Sequence, residues 1–263
     1  MKVWLIESGE PLPTDDSPGR PWRIGLLADI LWRRGHDVTW WAGTFDHAHK
    51  SYRASETTTT AFRERYSLHL LHGVPYTRNV SFARLRNHRQ VAKEFARVAA
   101  TQARPDVILC CVPTLELAGA AIDYGQREAV PVVLDYRDLW PEVFVEPFGA
   151  LLRPVARVLI HPWYRLAHKS FAGATAITGI TDEFVAKALQ YARRPRREGL
   201  DRSFPHGYST QPLDEGRLQR AFDFWAGLGI RKDSGQFVVC YFGQLSRRVE
   251  IRAAILATRS MAD

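Results

Sequence analysis

Six short apolar runs recur along the first 180 residues, with helix-like stretches between most of them, and no other feature restricts the fold as strongly. The runs are KVWLI (2–6), DVTWWA (37–42), YSLHLL (66–71), DVILCC (106–111), PVVLDY (131–136) and ATAIT (174–178). Helical spacing falls at about 19–34, 81–102, 114–127 and 153–171. The runs are nearly continuously apolar, as strands buried on both faces must be. Alternation of this kind predicts a parallel sheet covered by helices on both faces, joined by right-handed crossovers.

Two regions depart from the alternation. Residues 44–62, with four consecutive threonines, are polar and are expected to form a mobile surface loop. Residues 192–203, ARRPRREGLDRS, are expected to form an exposed basic connection. FPHGYST follows, then a helix-like stretch to about 228, then QFVVCYFGQLSRRVEIRAAILATRSMAD, which has the pattern of a new strand, turn and helix. One strand–helix unit does not cover its own apolar faces. The tail is expected either to dock on the first domain or to begin a second one, and the favoured organisation is a domain over 1–205 and, over 206–263, a linker with the first strand–helix unit of an incomplete second domain.

Charge and cysteine content narrow the function classes. Lys+Arg outnumber Asp+Glu by 36 to 28, a net +8, and 30 of the 36 are arginine. Arginine suits phosphate and carboxylate, which its planar fork grips bidentately. An anionic ligand, an anionic membrane surface, or plain compositional bias each accounts for the excess. Cys110, Cys111 and Cys240 are odd in number, and two are adjacent, so a disulfide framework is not expected and a reducing cytoplasm is. MKVWLIESGE is too short in its apolar run for a signal peptide, and no segment approaches a membrane span. No HExxH, CxxC or phosphate-loop signature occurs, and the scattered histidines lack metal-ligand spacing. No metal or nucleic-acid partner is expected.

In open α/β sheets, ligands bind beyond the carboxyl ends of the strands, near helix N-termini. The long loop after KVWLI must lie there. Gly9 and Gly19 allow close approach of a ligand, Arg20 and Arg23 supply charge, and the start of the next helix is expected to offer unpaired N–H groups to an anion. The GxGxxG fingerprint is absent, which argues against a nicotinamide or flavin enzyme. A solvated loop with incidental arginines is the structural alternative.

RGHDVTWWAGTFDH, YRDLWPE, FPHGY and VVCYFGQLS occur in an order that resembles the family 4 glycosyltransferases of GT-B fold, in particular the type that builds bacterial surface polysaccharides on lipid-linked acceptors. The resemblance runs from residue 1 to about 250. It implies two Rossmann-like domains facing a cleft, with the acceptor mainly on the N-terminal one and the nucleotide-sugar mainly on the C-terminal one. It further implies sugar transfer with retention, no obligatory metal and no cofactor, the nucleoside-diphosphate sugar being a substrate. The acceptor would be a lipid-linked molecule or a glycan. The protein would be cytoplasmic and peripheral on the inner face of the cell membrane.

By that resemblance, Gly9, Arg20 and Arg23 lie in the cleft. LDYRDLWPEVF (134–144) borders the acceptor pocket: Asp138 would orient the acceptor hydroxyl or take its proton, Arg137 would grip phosphate, and Trp140 would present an apolar face to a sugar ring. The structural alternative has Asp135 or Asp138 capping the next turn with Arg137 as partner. Thr114 and Glu116, in CVPTLELA, stand where relatives carry a histidine, and are more readily explained as helix-start residues. Gly243 matches the family's glycine turn, and Arg247 with Arg248 would steady the leaving diphosphate. The family's paired donor-site glutamates are not reached by residue 263, so the second domain is expected to be truncated.

Spacing alone raises one further expectation. Arg153, Arg157, His161, Arg165 and Lys169 recur every fourth residue, which on one helix makes a slowly turning cationic stripe suited to anionic headgroups or simply to solvent. Pro162 would kink or divide that helix. A non-catalytic acceptor- or membrane-binding module, and a GT-B sugar-nucleotide epimerase, are the competing functional classes.

Overall fold

All six apolar runs become strands. The computed structural model describes residues 1–15, 20–79, 81–146, 148–149, 151–208, 214–231, 234–235, 237–241 and 251–259. The chain divides into two units, Met1–Ser209 and Thr210–Asp263. The first contains β1 (Lys2–Ile6), α1 (Arg23–Arg33), β2 (Asp37–Gly43), β3 (Phe45–Asp46), β4 (Ser51–Tyr52), β5 (Thr58–Arg63) and β6 (Tyr66–Leu71). It continues through α2 (Phe82–Ala99), β7 (Val107–Val112), α3 (Leu115–Glu128), β8 (Val132–Tyr136) and a 3-10 turn (Glu142–Phe144). Then come α4 (Arg153–Leu159), α5 (His161–Gly173), β9 (Ala176–Gly179), α6 (Asp182–Ala192) and β10 (Arg202–Ser203).

The main sheet has the order β10-β9-β8-β7-β1-β2-β6-β5 and is parallel except at β5, which pairs antiparallel with β6. This is the α/β, Rossmann-like arrangement expected. Successive strand residues face opposite sides of a sheet, and here they enter separate cores. Trp4, Trp41 and Cys110 pack in one cluster with α2, α3 and α5, whereas Leu5, Trp40 and Cys111 pack in the other with α1. Neighbouring tryptophans and neighbouring cysteines are thus buried on opposite faces, and both cysteines are free thiols. The chain turns out of α1 through Gly35, whose φ of +83° is a left-handed conformation that costs glycine little.

Several local expectations need correction. Residues 44–62 are not one loop: β3 and β4 form a small antiparallel pair, and Thr58–Arg63 is the edge strand β5. Its threonines are β-branched and face solvent at the sheet edge, so the polarity that resembled a loop is that of an edge strand. The stretch 153–171 divides at Ile160, with Pro162 in the first turn of α5, where its missing N–H costs nothing. Arg153 and Arg157 consequently sit on one helix and His161, Arg165 and Lys169 on another, so no single helix carries all five. Helix α6 was not among the expected elements, although Thr181 at its N-cap and Asp182 and Glu183 in its first turn are a legible start signal. The connection after it is not simply solvated. Buried Asp201 accepts from Arg194 at 2.5 and 2.9 Å and from the Ile177 and Arg197 amides.

The second unit holds α7 (Glu215–Gly227) and α8 (Ile251–Arg259). Asp214 caps α7 by accepting from the Arg217 amide at 2.8 Å. Residues 237–241 are exposed and form no strand. Among the described residues of this unit there is no other strand for them to pair with, and a lone strand leaves its backbone groups unmade.

Candidate functional site

The sheet order reverses at β1. The chain builds outward from it through β2, β6 and β5 on one side, and through β7, β8, β9 and β10 on the other. The loops after β1 and β7 therefore diverge at a topological switch point, where open α/β sheets form their ligand crevices. Five charged side chains converge on this edge: Glu7 and Glu10 after β1, Arg23 at the start of α1, Asp135 in β8 and Arg137 just beyond it.

They pair with one another. Arg23 donates through Nε and Nη2 to the two oxygens of Asp135 at 2.8 and 2.9 Å, and Asp135 also accepts from the Thr178 hydroxyl at 2.7 Å. Arg23 reaches further, to the Phe204 and Pro205 carbonyls, so FPHGY is tied to the same edge. Arg137 donates to both Glu7 and Glu10. Glu7 is buried. Burial raises its pKa, an effect the Arg137 charge opposes.

The amides at the head of α1 are not left for an outside anion. The Glu10 carboxylate accepts from the Ile24 amide at 2.9 Å and the Gly25 amide at 3.1 Å. A side-chain carboxylate thus occupies the position a phosphate would take at a helix N-terminus. The Gly9 amide likewise donates to Glu7. Gly9 itself is exposed, as is Arg20, which reaches the Gly207 carbonyl at 3.3 Å. Sequence reading passed over Glu7 and Glu10. Two carboxylates directly after a buried strand at a switch point were the available signal.

Asp138 lies exposed on the loop after β8, and its carbonyl accepts from the Trp140 amide at 2.7 Å. Arg137 takes Glu7 and Glu10 as its ion-pair partners. Trp140 is no open platform for a sugar ring. It is buried, edge-to-face with Phe144 at 4.6 Å, with the Arg84 guanidinium 5.3 Å from its ring.

Thr114 stands at the N-cap of α3 without a side-chain cap bond. Glu116 points inward and accepts from the Trp163 indole at 2.9 Å. Its other oxygen lies 3.9 Å from His88 Nδ1, and neither atom has a hydrogen-bond partner. Burial raises the Glu116 pKa, and burial with the nearby Arg84 and His47 charges pushes His88 down to about 3. The pair is therefore uncharged at the histidine. His88 Nε2 accepts from Arg84 at 3.3 Å. His88 was not singled out from the sequence, where nothing marks it from the other histidines.

Arg153, Arg157, Arg165 and Lys169 are all exposed, with Lys169 paired to Asp123 at 2.7 Å. Gly19, Gly243, Arg247 and Arg248 lie outside the described residues. Among the described residues no helix is long and apolar enough to cross a membrane.

No protein-family model matches the sequence, and no curated protein matches it. Solved structures do. The catalytic domain of starch synthase IV from Arabidopsis thaliana, bound to ADP and acarbose, aligns at a TM-score of 0.53 and 13% identity over 90% of this chain and 60% of that one. UGT89C1 from Arabidopsis thaliana, complexed with UDP, aligns at 0.50 and 11% identity over 98% of this chain and 63% of that one. Both are GT-B glycosyltransferases. The chain spans less than two thirds of their length, and its sheet and flanking helices match a Rossmann-like half of that fold.

Proposed function

We propose that the chain is the acceptor-side part of a nucleotide-sugar-dependent glycosyltransferase of the family 4, surface-polysaccharide type, with a lipid-linked or polysaccharide acceptor. The observation that carries the reading is the GT-B-like sheet with exposed Asp138 on its carboxyl edge, beside the switch point. In this reading residues 1–205 receive the acceptor and 206–263 begin the donor side. Asp138 orients an acceptor hydroxyl and takes its proton as the oxygen bonds to the anomeric carbon. The bond to the nucleoside diphosphate breaks, and Arg247 and Arg248, near Gly243, steady the departing charge. Arg20 stays available to an acceptor phosphate. Arg23 and Arg137 act by holding Asp135, Glu7 and Glu10, and so the loops, in place. Work at the inner membrane face, with Arg153, Arg157, Arg165 and Lys169 toward the lipid, completes the proposal.

A second reading is a non-catalytic acceptor- or membrane-binding module. The internal pairing of Arg23 and Arg137 favours it, because the chain's own carboxylates already engage those cations. Thermal unfolding with uridine, guanosine and adenosine diphosphates at millimolar concentration separates the two. The transferase reading expects one of them to raise the midpoint. If none does, donor binding by this chain fails and the module reading stands.

A further inference from the structure

A pocket of ≈ 550 Å³ opens between the start of α2, the 3-10 turn and the junction of α4 with α5. This is within the range of about 300–1,000 Å³ common for small-molecule sites. Leu85, Trp140, Phe144, Ile160 and Trp163 give it a largely apolar lining. Phe82 and Phe148 stand at its margin, 91% and 42% exposed. Buried polar contacts fix two of the lining groups from behind. Glu116 holds the Trp163 indole, and His88 holds Arg84, whose guanidinium lies against Trp140. The cavity is therefore built in advance of any occupant.

Two observations indicate what fills it. Arg78 and Arg84 are the charged lining residues, both cationic, and among the described residues nothing pairs with the Arg78 guanidinium. Beside the pocket, α4 leaves Val155, Val158 and Leu159 exposed at helical spacing, with Ala156 its buried residue. An apolar cavity with Arg78 at its edge, lined by Ile160 next to the exposed apolar residues of α4, complements a hydrocarbon chain that ends in an anion.

We propose that this pocket binds the hydrocarbon chain of a phosphorylated amphiphile, with the chain between Trp140, Phe144 and Trp163 and the phosphate at Arg78. The inference deepens the acceptor side of the function proposed above and rests on that reading only for the amphiphile's role as acceptor. The binding itself does not depend on sugar transfer.

The test uses the full chain and dodecyl phosphate carrying a terminal bromine, kept below its micelle-forming concentration. Bromine seated beside Trp140 and Trp163 quenches their fluorescence. Saturable quenching is expected, competed by unbrominated dodecyl phosphate and not by inorganic phosphate. Arg78→Ala is expected to weaken dodecyl phosphate roughly fivefold, the scale of one exposed charge contact, and to leave dodecanol unchanged. Phe82→Asp is expected to weaken both; since Phe82 is almost fully exposed, the variant keeps the fold, which circular dichroism verifies. Absence of saturable quenching overturns the proposal, as does quenching that both variants leave unaltered. Equal sedimentation of the parent and Phe82→Asp chains with phosphatidylglycerol vesicles, without quenching by the monomeric probe, would place lipid on the surface of α4 and overturn seating in the pocket. Quenching without any nucleotide-induced thermal shift sustains this inference while the transferase reading fails. The reverse result overturns this one alone.

Discussion

Arg23, the first residue of α1, holds both carboxylate oxygens of Asp135 in β8 at 2.8 and 2.9 Å, across 112 positions of sequence. Neither residue's chain neighbours announce the other. The pair joins the loop after β1 to the far half of the sheet, and through the Phe204 and Pro205 carbonyls it also fixes the exit of the first unit. Asp135 is fully buried, so loss of one partner strands a charge. Asp135→Asn is expected to destabilise the first unit by about 3–5 kcal/mol, against far less for replacement of both residues by apolar ones of similar size. Urea unfolding of both forms measures this; a single-variant loss near zero would mean that solvent reaches the pair.

Glu10 makes the head of α1 a self-satisfied anion site. Glu10→Ala removes the acceptor of the Ile24 and Gly25 amides and one partner of Arg137. A loss of about 2–4 kcal/mol is expected, from an unsatisfied helix start and an unbalanced arginine. Added sulfate is expected to restore part of it in the variant and to leave the parent chain nearly unmoved. Equal sulfate responses would show that the vacated amides do not take up anions.

His69 is buried against the Trp41 ring at 4.3 Å, and burial lowers its pKa to about 4. The folded state keeps it neutral while the unfolded chain binds a proton near its ordinary value of 6.5. The unfolded state then holds more protons between those values, so stability is present above pH 6.5 and is lost as pH falls toward 4. The loss at pH 4 is about 3 kcal/mol at most. His69→Asn is expected to unfold with a shallower dependence over that interval. Parallel curves for the two proteins would mean that His69 takes its proton in the folded state too.

Asp138 is exposed, and its replacement tests the proposed chemistry once circular dichroism has verified the fold. In an assay of sugar transfer, Asp138→Asn is expected to lower kcat by roughly 10²–10⁴-fold, the usual share of general acid–base catalysis. KM for the nucleotide-sugar and the unfolding midpoint are expected to hold. A variant with full kcat removes Asp138 from the reaction.

The core strands could be found in the sequence because burial on both faces leaves an unbroken apolar run, as in KVWLI and DVILCC. Edge strand β5 could not, because one side of it meets water and TTTT carries the polarity of a loop. The division of the 153–171 stretch was signalled by Pro162, whose ring excludes it from a helix interior. Positions of interest were also visible: the loops holding Gly9, Arg23, Thr114, Arg137 and Trp140 all fall at the carboxyl edge of the sheet, as strand order requires.

What those residues touch was not visible. Composition and local pattern by themselves determined a mostly parallel α/β sheet with arginines at its carboxyl edge, because both follow from short-range periodicity and chain direction. Only the tertiary structure decided that Arg23 pairs with Asp135 and Arg137 with Glu7 and Glu10, that Glu10 fills the helix start, and that Trp140 and Trp163 wall an apolar pocket. Electrostatic pairing and cavity shape depend on distances between side chains remote in sequence, and those distances exist only once the sheet has brought the loops together.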